Sequence, residues 1–162
     1  MSRILYLRLL YNFKKMIRNS KELKSSVGYL LYHLTALLHR KVKKELDTLN
    51  LTHTQFIILA TLYRLLDKQD NITQVDIATE SQMDKMMVSK VLRNLQQKKL
   101  VSRIEHSYDT RAKVVIITPS GIELVNKAYI LVKKVELKFF KVLGGDKIQF
   151  EGQIQKILKE NK

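Results

Sequence analysis

The chain has 162 residues, enough for one domain or one domain with a helical extension, and 45% of them are hydrophobic, enough for a core. With 30 Lys and Arg against 15 Asp and Glu, the net charge of +15 favours a polyanionic partner, nucleic acid ahead of an anionic membrane surface. The absence of cysteine excludes disulfides, thiolate metal sites and thiol redox sensing. With 5 Gly and 1 Pro, helix should dominate. No apolar run reaches the length of a membrane span. Basic residues break the apolar N-terminus and no small-residue cleavage site follows, so no signal peptide is expected.

In chain order, residues 1–24 form a basic N-terminal extension, in which Arg3, Arg8, Lys14, Lys15, Arg18, Lys21 and Lys24 stand against Glu22 alone. Ile4, Leu7, Leu10, Tyr11 and Ile17 can line one side of a helix there, suited to a partner subunit, DNA phosphates or a membrane surface. Ser26 opens a long helix to about Asn50, with Val27, Leu30, Leu31, Leu34, Leu38, Val42 and Leu46 at helical spacing. Thr52 caps the next helix and Gln55 completes a capping box. That helix, Phe56 to Leu66, is apolar on most sides and should be the buried centre. After a polar break at Asp67–Asn71, Thr73 with Asp76 caps a short helix through Ala78, and Ser81 to Asp84 turn the chain.

The stretch from Ile72 to Gly121 then organises the rest. Its second helix, roughly Asp84 to Lys98, places Val88, Val91, Leu92 and Leu95 on one side, where they should be buried. Lys85, Met86, Ser89, Lys90, Arg93 and Gln97 fall on the other, a basic and amide-rich face that suits the major groove of DNA. For Met87, core packing is the expectation. A hairpin follows: Leu100-Val101-Ser102-Arg103, a charged tip at Tyr108-Asp109-Thr110-Arg111, and the strand Lys113–Ile117. Thr118 caps a further helix with Pro119 at its first position. That helix should run to about Leu143 and is apolar almost all round, which implies cover from a second subunit. Gly144-Gly145 ends it, and Asp146 starts a last helix with Phe150, Ile154, Ile157 and Leu158 on one face.

These residues carry a resemblance. Asp109, Arg111, Ile117, Thr118 and Gly121 stand in the register of the wing signature of the MarR family of bacterial winged helix-turn-helix transcription regulators, and Leu51, Thr52, Gln55 and Phe56 match the family's helix start. The resemblance covers about Ser26 to Lys159. It implies a mainly α fold with a small β wing, a DNA-binding lobe at 51–118, and a helical dimerisation region at 25–50 and 119–162. It also implies a cytoplasmic bacterial regulator, most often a repressor, bound as a homodimer to a pseudo-palindromic operator. The sequence departs from the family at Lys99, where Gly is usual and a left-handed backbone is needed, and at Asn94, where Arg is common. It departs again at Met86 and Met87, where small hydroxylated residues are usual.

The DNA-binding candidates are Lys85, Met86, Ser89, Lys90 and Arg93 for base edges, and Thr73, Gln74, Arg103 and Lys113 for phosphates. Arg111 suits a narrow minor groove, with Asp109 holding its guanidinium in place. Many relatives release DNA when a small aromatic or phenolic anion binds, and Tyr32, His33, Arg40, Phe56 and Tyr63 are the candidates for such an effector pocket. His33, His39, His53 and His106 lie apart, so no metal is expected, and no cofactor is implied. No nucleophile–base pattern, phosphate loop or carboxylate cluster is present, so an enzyme is not expected. The competing readings are a non-specific basic architectural protein on DNA and a peripheral membrane protein using the N-terminal helix.

Overall fold

A computed structural model describes residue 7, residues 24–105 and residues 113–161. The chain divides into two compact units, Met1–Arg40 and Lys41–Lys162, and the boundary falls inside the first long helix, α1, Val27–Asp47. In the first unit Ser26 opens the helix as expected: its Oγ accepts from the Tyr29 N–H (3.3 Å) and its carbonyl from the Leu30 N–H (3.0 Å). Val27, Leu30, Leu31 and Leu37 are exposed, while Leu34 and Leu38 are half-buried. The basic arm read at residues 1–24 lies outside the described residues apart from Leu7 and Lys24, both exposed.

The second unit begins where α1 turns apolar residues inward, at Val42 and Leu46. Asn50 takes a left-handed backbone (φ 52°) and delivers the chain to the cap of α2, His53–Leu65. The capping box is closed in both directions, with the Gln55 N–H donating to Thr52 Oγ1 (3.2 Å) and the Thr52 N–H donating to Gln55 Oε1 (3.0 Å). Each bond satisfies a donor the helix itself leaves orphaned. Ile58, Leu59 and Leu62 are completely buried, so α2 is the centre of the unit, as its composition requires.

Helix α3, Gln74–Ser81, starts from a second closed box between Thr73 and Asp76. It runs past the expected end at Ala78 to Ser81, whose Oγ donates back to the Ile77 carbonyl (2.6 Å), and Gln82, at φ 53°, supplies the left-handed stop. Helix α4, Lys85–Gln97, follows directly, with the Asp84 carboxylate accepting from the Met86 and Met87 N–H groups (2.9 and 3.0 Å). Val88, Leu92 and Leu95 are fully buried, while Val91, at the edge of that stripe, is only half-buried. Lys99 closes α4 at φ 58°, the conformation expected where relatives carry Gly, and the Leu100 N–H donates to the Leu95 carbonyl (2.9 Å).

Strands β1, Val101–Glu105, and β2, Lys113–Ile117, pair antiparallel with Val101 opposite Ile117 and Glu105 opposite Lys113. The segment before α3 joins them: the Val115 N–H donates to the Ile72 carbonyl (2.7 Å) and Thr73 bridges to Val114. The wing is thus pinned to the start of the helix-turn-helix. Thr118 caps α5, Pro119–Phe139, by accepting from the Gly121 N–H (3.1 Å), and its own hydroxyl donates to the Lys99 carbonyl (2.9 Å). Gly121 is required by space, since a Cβ there would lie 2.2 Å from the Leu100 carbonyl oxygen.

Helix α5 ends earlier than its composition implied. A 3₁₀ stretch, Phe140–Asp146, replaces its last turns, and Gly144 (φ 52°, ψ −125°) breaks the right-handed path. The last helix, α6, spans Lys147–Glu160, and the Asp146 side chain makes no capping hydrogen bond to it. No residue of α6 is buried. Phe150 and Ile154 are half-covered, whereas Ile157 and Leu158 of the expected apolar face are exposed. Among the described residues, no helix is long and apolar enough to cross a membrane.

Candidate nucleic-acid interface

Helices α3 and α4 and the turn between them make a helix-turn-helix whose second member is anchored by Val88, Leu92 and Leu95 and presents its remaining surface outward. On that surface Lys85, Met86, Lys90, Arg93 and Gln97 are exposed and Ser89 is half-buried. Met87 is 50% exposed, which corrects the expectation of core packing. A residue advances about 100° around a helix, so Met87 lies beyond the edge of the Val88 stripe and stands beside Met86, which is 74% exposed.

The candidate phosphate contacts are placed less uniformly. Thr73 and Gln74 are half-buried, and the Thr73 hydroxyl is committed to Asp76, donating to Oδ2 at 2.7 Å. What remains toward solvent there is the start of α3 and its side-chain amide. Lys113 is exposed at the base of the wing. Asp109 and Arg111 at the wing tip, with His106, lie outside the described residues.

Arg103 holds a position that spacing alone did not define. It reaches from β1 to α4, where Nη2 donates to the Ser89 carbonyl (3.2 Å). Its Nε is buried and has no hydrogen-bond partner among the described residues. Burial first, and then the nearby Arg93 charge, lower its guanidinium below the ordinary value, although a guanidinium stays charged at neutral pH. Arg103 and Arg93 thus set two positive charges side by side at the junction of β1 and α4. Arg103 also ties the wing to α4.

A second link joins the far end of α4 to the start of α2. Gln55 is buried, and its Nε2 donates to Asn94 Oδ1 (2.5 Å) while Lys98 Nζ donates to the Asn50 carbonyl (2.6 Å). Asn94, itself exposed, thus has a partner within the chain. The signal available in the sequence was Gln55 itself, because a buried amide has more hydrogen-bonding groups than a capping box consumes.

Between α2 and α5 the second unit carries a cavity of about 480 Å³, lined by Phe56, Ile57, Tyr63, Arg64, Val125 and Tyr129, among others. Of the five residues read as an effector pocket, Phe56 and Tyr63 line it. Tyr32, His33 and Arg40 belong to the first unit, where Tyr32 and His33 meet edge to face at 5.4 Å. Arg64 and Tyr129 were not foreseen. They lie in different helices, and only the packing of α2 on α5 brings them together. Arg64, at the cavity's edge, is paired with Glu80 at 2.6 Å. Among the described residues no group of His, Asp or Glu is arranged to hold a metal.

Residues 47–136 match the ArnR1-like winged-helix domain family. Over 135 residues the chain is 34% identical to an uncharacterised HTH-type transcriptional regulator, YdcH, of Bacillus subtilis, covering 83% of this chain and 91% of that one. The fold superposes on MepR of S. aureus in its complex with DNA with a TM-score of 0.76, at 31% identity over 83% of this chain and 98% of that one. It also matches BpsR of Bordetella bronchiseptica, whose DNA binding is regulated by 6-hydroxynicotinic acid, with a TM-score of 0.73 at 22% identity, covering 84% and 96% of the two chains. At that identity the last likeness concerns the fold alone.

Proposed function

The chain belongs to the ArnR1-like winged-helix and MarR-type family of transcription regulators, a DNA-binding family and not an enzymatic one, and from that premise we propose that it acts as a homodimeric repressor. Two copies of α4 enter successive major grooves of a two-fold-symmetric operator, with centres about 10 bp apart. One observation carries this reading. The first half of α4 exposes Lys85, Met86 and Lys90, with Arg93 one turn on, from a helix whose opposite side is fully anchored. Lysine donates to guanine O6 and N7, and a methionine methyl suits the thymine methyl. Ser89, Arg93 and Gln97 extend the same face. Arg103, Lys113 and Gln74 position the lobe on phosphates, Thr73 serving as the cap that fixes the start of α3 beside them, and Arg111, steadied by Asp109, reads the minor groove. With DNA as its partner, the protein works in the bacterial cytoplasm.

The dimer is supported by α5 and α6, which leave Ile130, Leu137, Ile157 and Leu158 exposed. The effector is a small aromatic anion in the α2–α5 cavity, with Phe56, Tyr63 and Tyr129 offering ring surface and Arg64 a cation. MepR bound to DNA and BpsR under control of 6-hydroxynicotinic acid are the relatives that make such a scheme reasonable here. An effector of this kind works by favouring one spacing of the two α4 helices over another.

Selection of bound sequences from a random duplex library at near-physiological salt tests the proposal. The expected product is a symmetric site of roughly 16–20 bp, preferred about 10³-fold or more over random DNA and weakened by Arg111→Ala. An unselective pool with a steep salt slope identifies a phosphate-only architectural protein instead.

A further inference from the structure

The chain has 5 methionines, and 3 of them stand between positions 83 and 87. Methionine is among the residues most often buried, yet Met86 and Met87 are 74% and 50% exposed in the first turn of α4. Neither is part of the helix anchor, which consists of Val88, Leu92 and Leu95. Their backbone amides are fixed by Asp84, so the positions of the two side chains are set by the cap rather than by side-chain packing. The chain has no cysteine, which leaves the thioether as its most readily oxidised sulfur.

We propose that Met86 and Met87 form an oxidation-sensitive site at which sulfoxide formation by a hypohalous acid reversibly weakens DNA binding. This rests on the reading of α4 as the base-reading helix. The chemistry balances without a cofactor. A sulfur lone pair attacks the chlorine of hypochlorous acid to give a chlorosulfonium and hydroxide. Hydroxide then adds to sulfur, chloride leaves, and the hydroxyl proton passes to water. Sulfur loses two electrons and chlorine gains them. The product replaces a soft apolar tip with a pyramidal S=O dipole whose oxygen only accepts hydrogen bonds. On this face the dipole takes the place of an apolar contact with thymine methyls, and its desolvation on binding is offset only where an adenine N6 or cytosine N4 amine stands opposite it. The core of the lobe is not touched, because both side chains already stand in water.

The test uses the full chain and its selected duplex. Limiting hypochlorous acid is added and quenched, peptide mass mapping locates each added oxygen, and the dissociation constant is measured before and after. Oxidation of Met86 and Met87 is expected to raise that constant roughly tenfold or more with an unchanged melting temperature. Treatment with the two peptide-methionine sulfoxide reductases together, one for each sulfoxide epimer, is expected to restore it. The double variant M86L/M87L, referenced to its own untreated affinity, is expected to change less than about twofold under the same dose. The proposal is overturned if doubly oxidised protein binds as before, if the reductase recovers nothing, or if the variant loses as much as the wild type. If untreated protein already fails to prefer the selected duplex over a shuffled one, the DNA-reading assignment of α4 falls, and this proposal falls with it.

Discussion

The lobe from α2 to β2 and the tail from the 3₁₀ stretch through α6 are both rich in apolar side chains, and they use them in opposite ways. In the lobe Ile58, Leu59, Leu62, Leu92 and Leu95 are fully buried by elements of the same chain. In the tail Val142 is 90% exposed and Ile148 is 81% exposed, and α6 buries nothing. Burial of a large aliphatic side chain contributes roughly 1.5–3 kcal/mol. The lobe already has that contribution within one chain, whereas the tail gains it only against a second surface. The contrast separates a part whose apolar side chains are covered within the chain from a part whose apolar side chains are not.

The largest effect is expected inside the lobe. Leu59→Ala should lower unfolding free energy by about 2–5 kcal/mol, from lost transfer energy and the cavity left behind. Urea titrations at two protein concentrations check it, and the loss should be the same at both. Gly121→Ala comes next. Its Cβ would meet the Leu100 carbonyl oxygen at 2.2 Å and Ile117 Cγ1 at 2.8 Å, so the wing or the start of α5 must shift. A loss of about 1–3 kcal/mol is expected from such overpacking, and a melting temperature equal to that of the wild type would contradict it.

In the tail the readout is assembly. Ile157→Asp with Leu158→Asp should weaken the dimer by about tenfold or more in sedimentation equilibrium, a change near 1.4 kcal/mol. The wild-type melting temperature should rise with protein concentration, and that of the variant should lie lower at each concentration where the wild type is dimeric. If both assemble alike, α6 is not the dimer surface. The smallest effect is expected at Lys99, whose φ of 58° is unfavourable for any residue with a Cβ. Lys99→Gly should leave stability equal or raise it by up to about 1 kcal/mol, and a clear fall in melting temperature would sink that account.

Much of the lobe was legible because its signals are local. Thr52 with Gln55, Thr73 with Asp76, and Thr118 before Pro119 each mark a helix start within four residues, and all three caps form. The stripe Val88, Leu92, Leu95 needs only the period of the helix. What was not legible depends on pairs distant in sequence. The Gln55–Asn94 bond spans 39 positions, and nothing near Asn94 in the sequence marks it as a partner of α2. Arg103 on Ser89 and Ile72 on Val115 are of the same kind. Met87 failed for another reason. Hydrophobicity assigned it inward, and the angle around the helix placed it outward. The cavity was half legible, since Phe56 and Tyr63 lie in α2, but Tyr129 joins them only through the packing of α5.

The most direct test of a two-copy reader is the spacing of the two half-sites. In the selected duplex, five base pairs are inserted at the centre and affinity is measured at fixed salt. Half a helical turn puts the second half-site on the opposite face, so binding should fall to the level of random DNA, and insertion of a full turn should restore part of it. Affinity that stays the same through the half-turn insertion would contradict the account, because two α4 helices held by one dimer cannot follow that rotation.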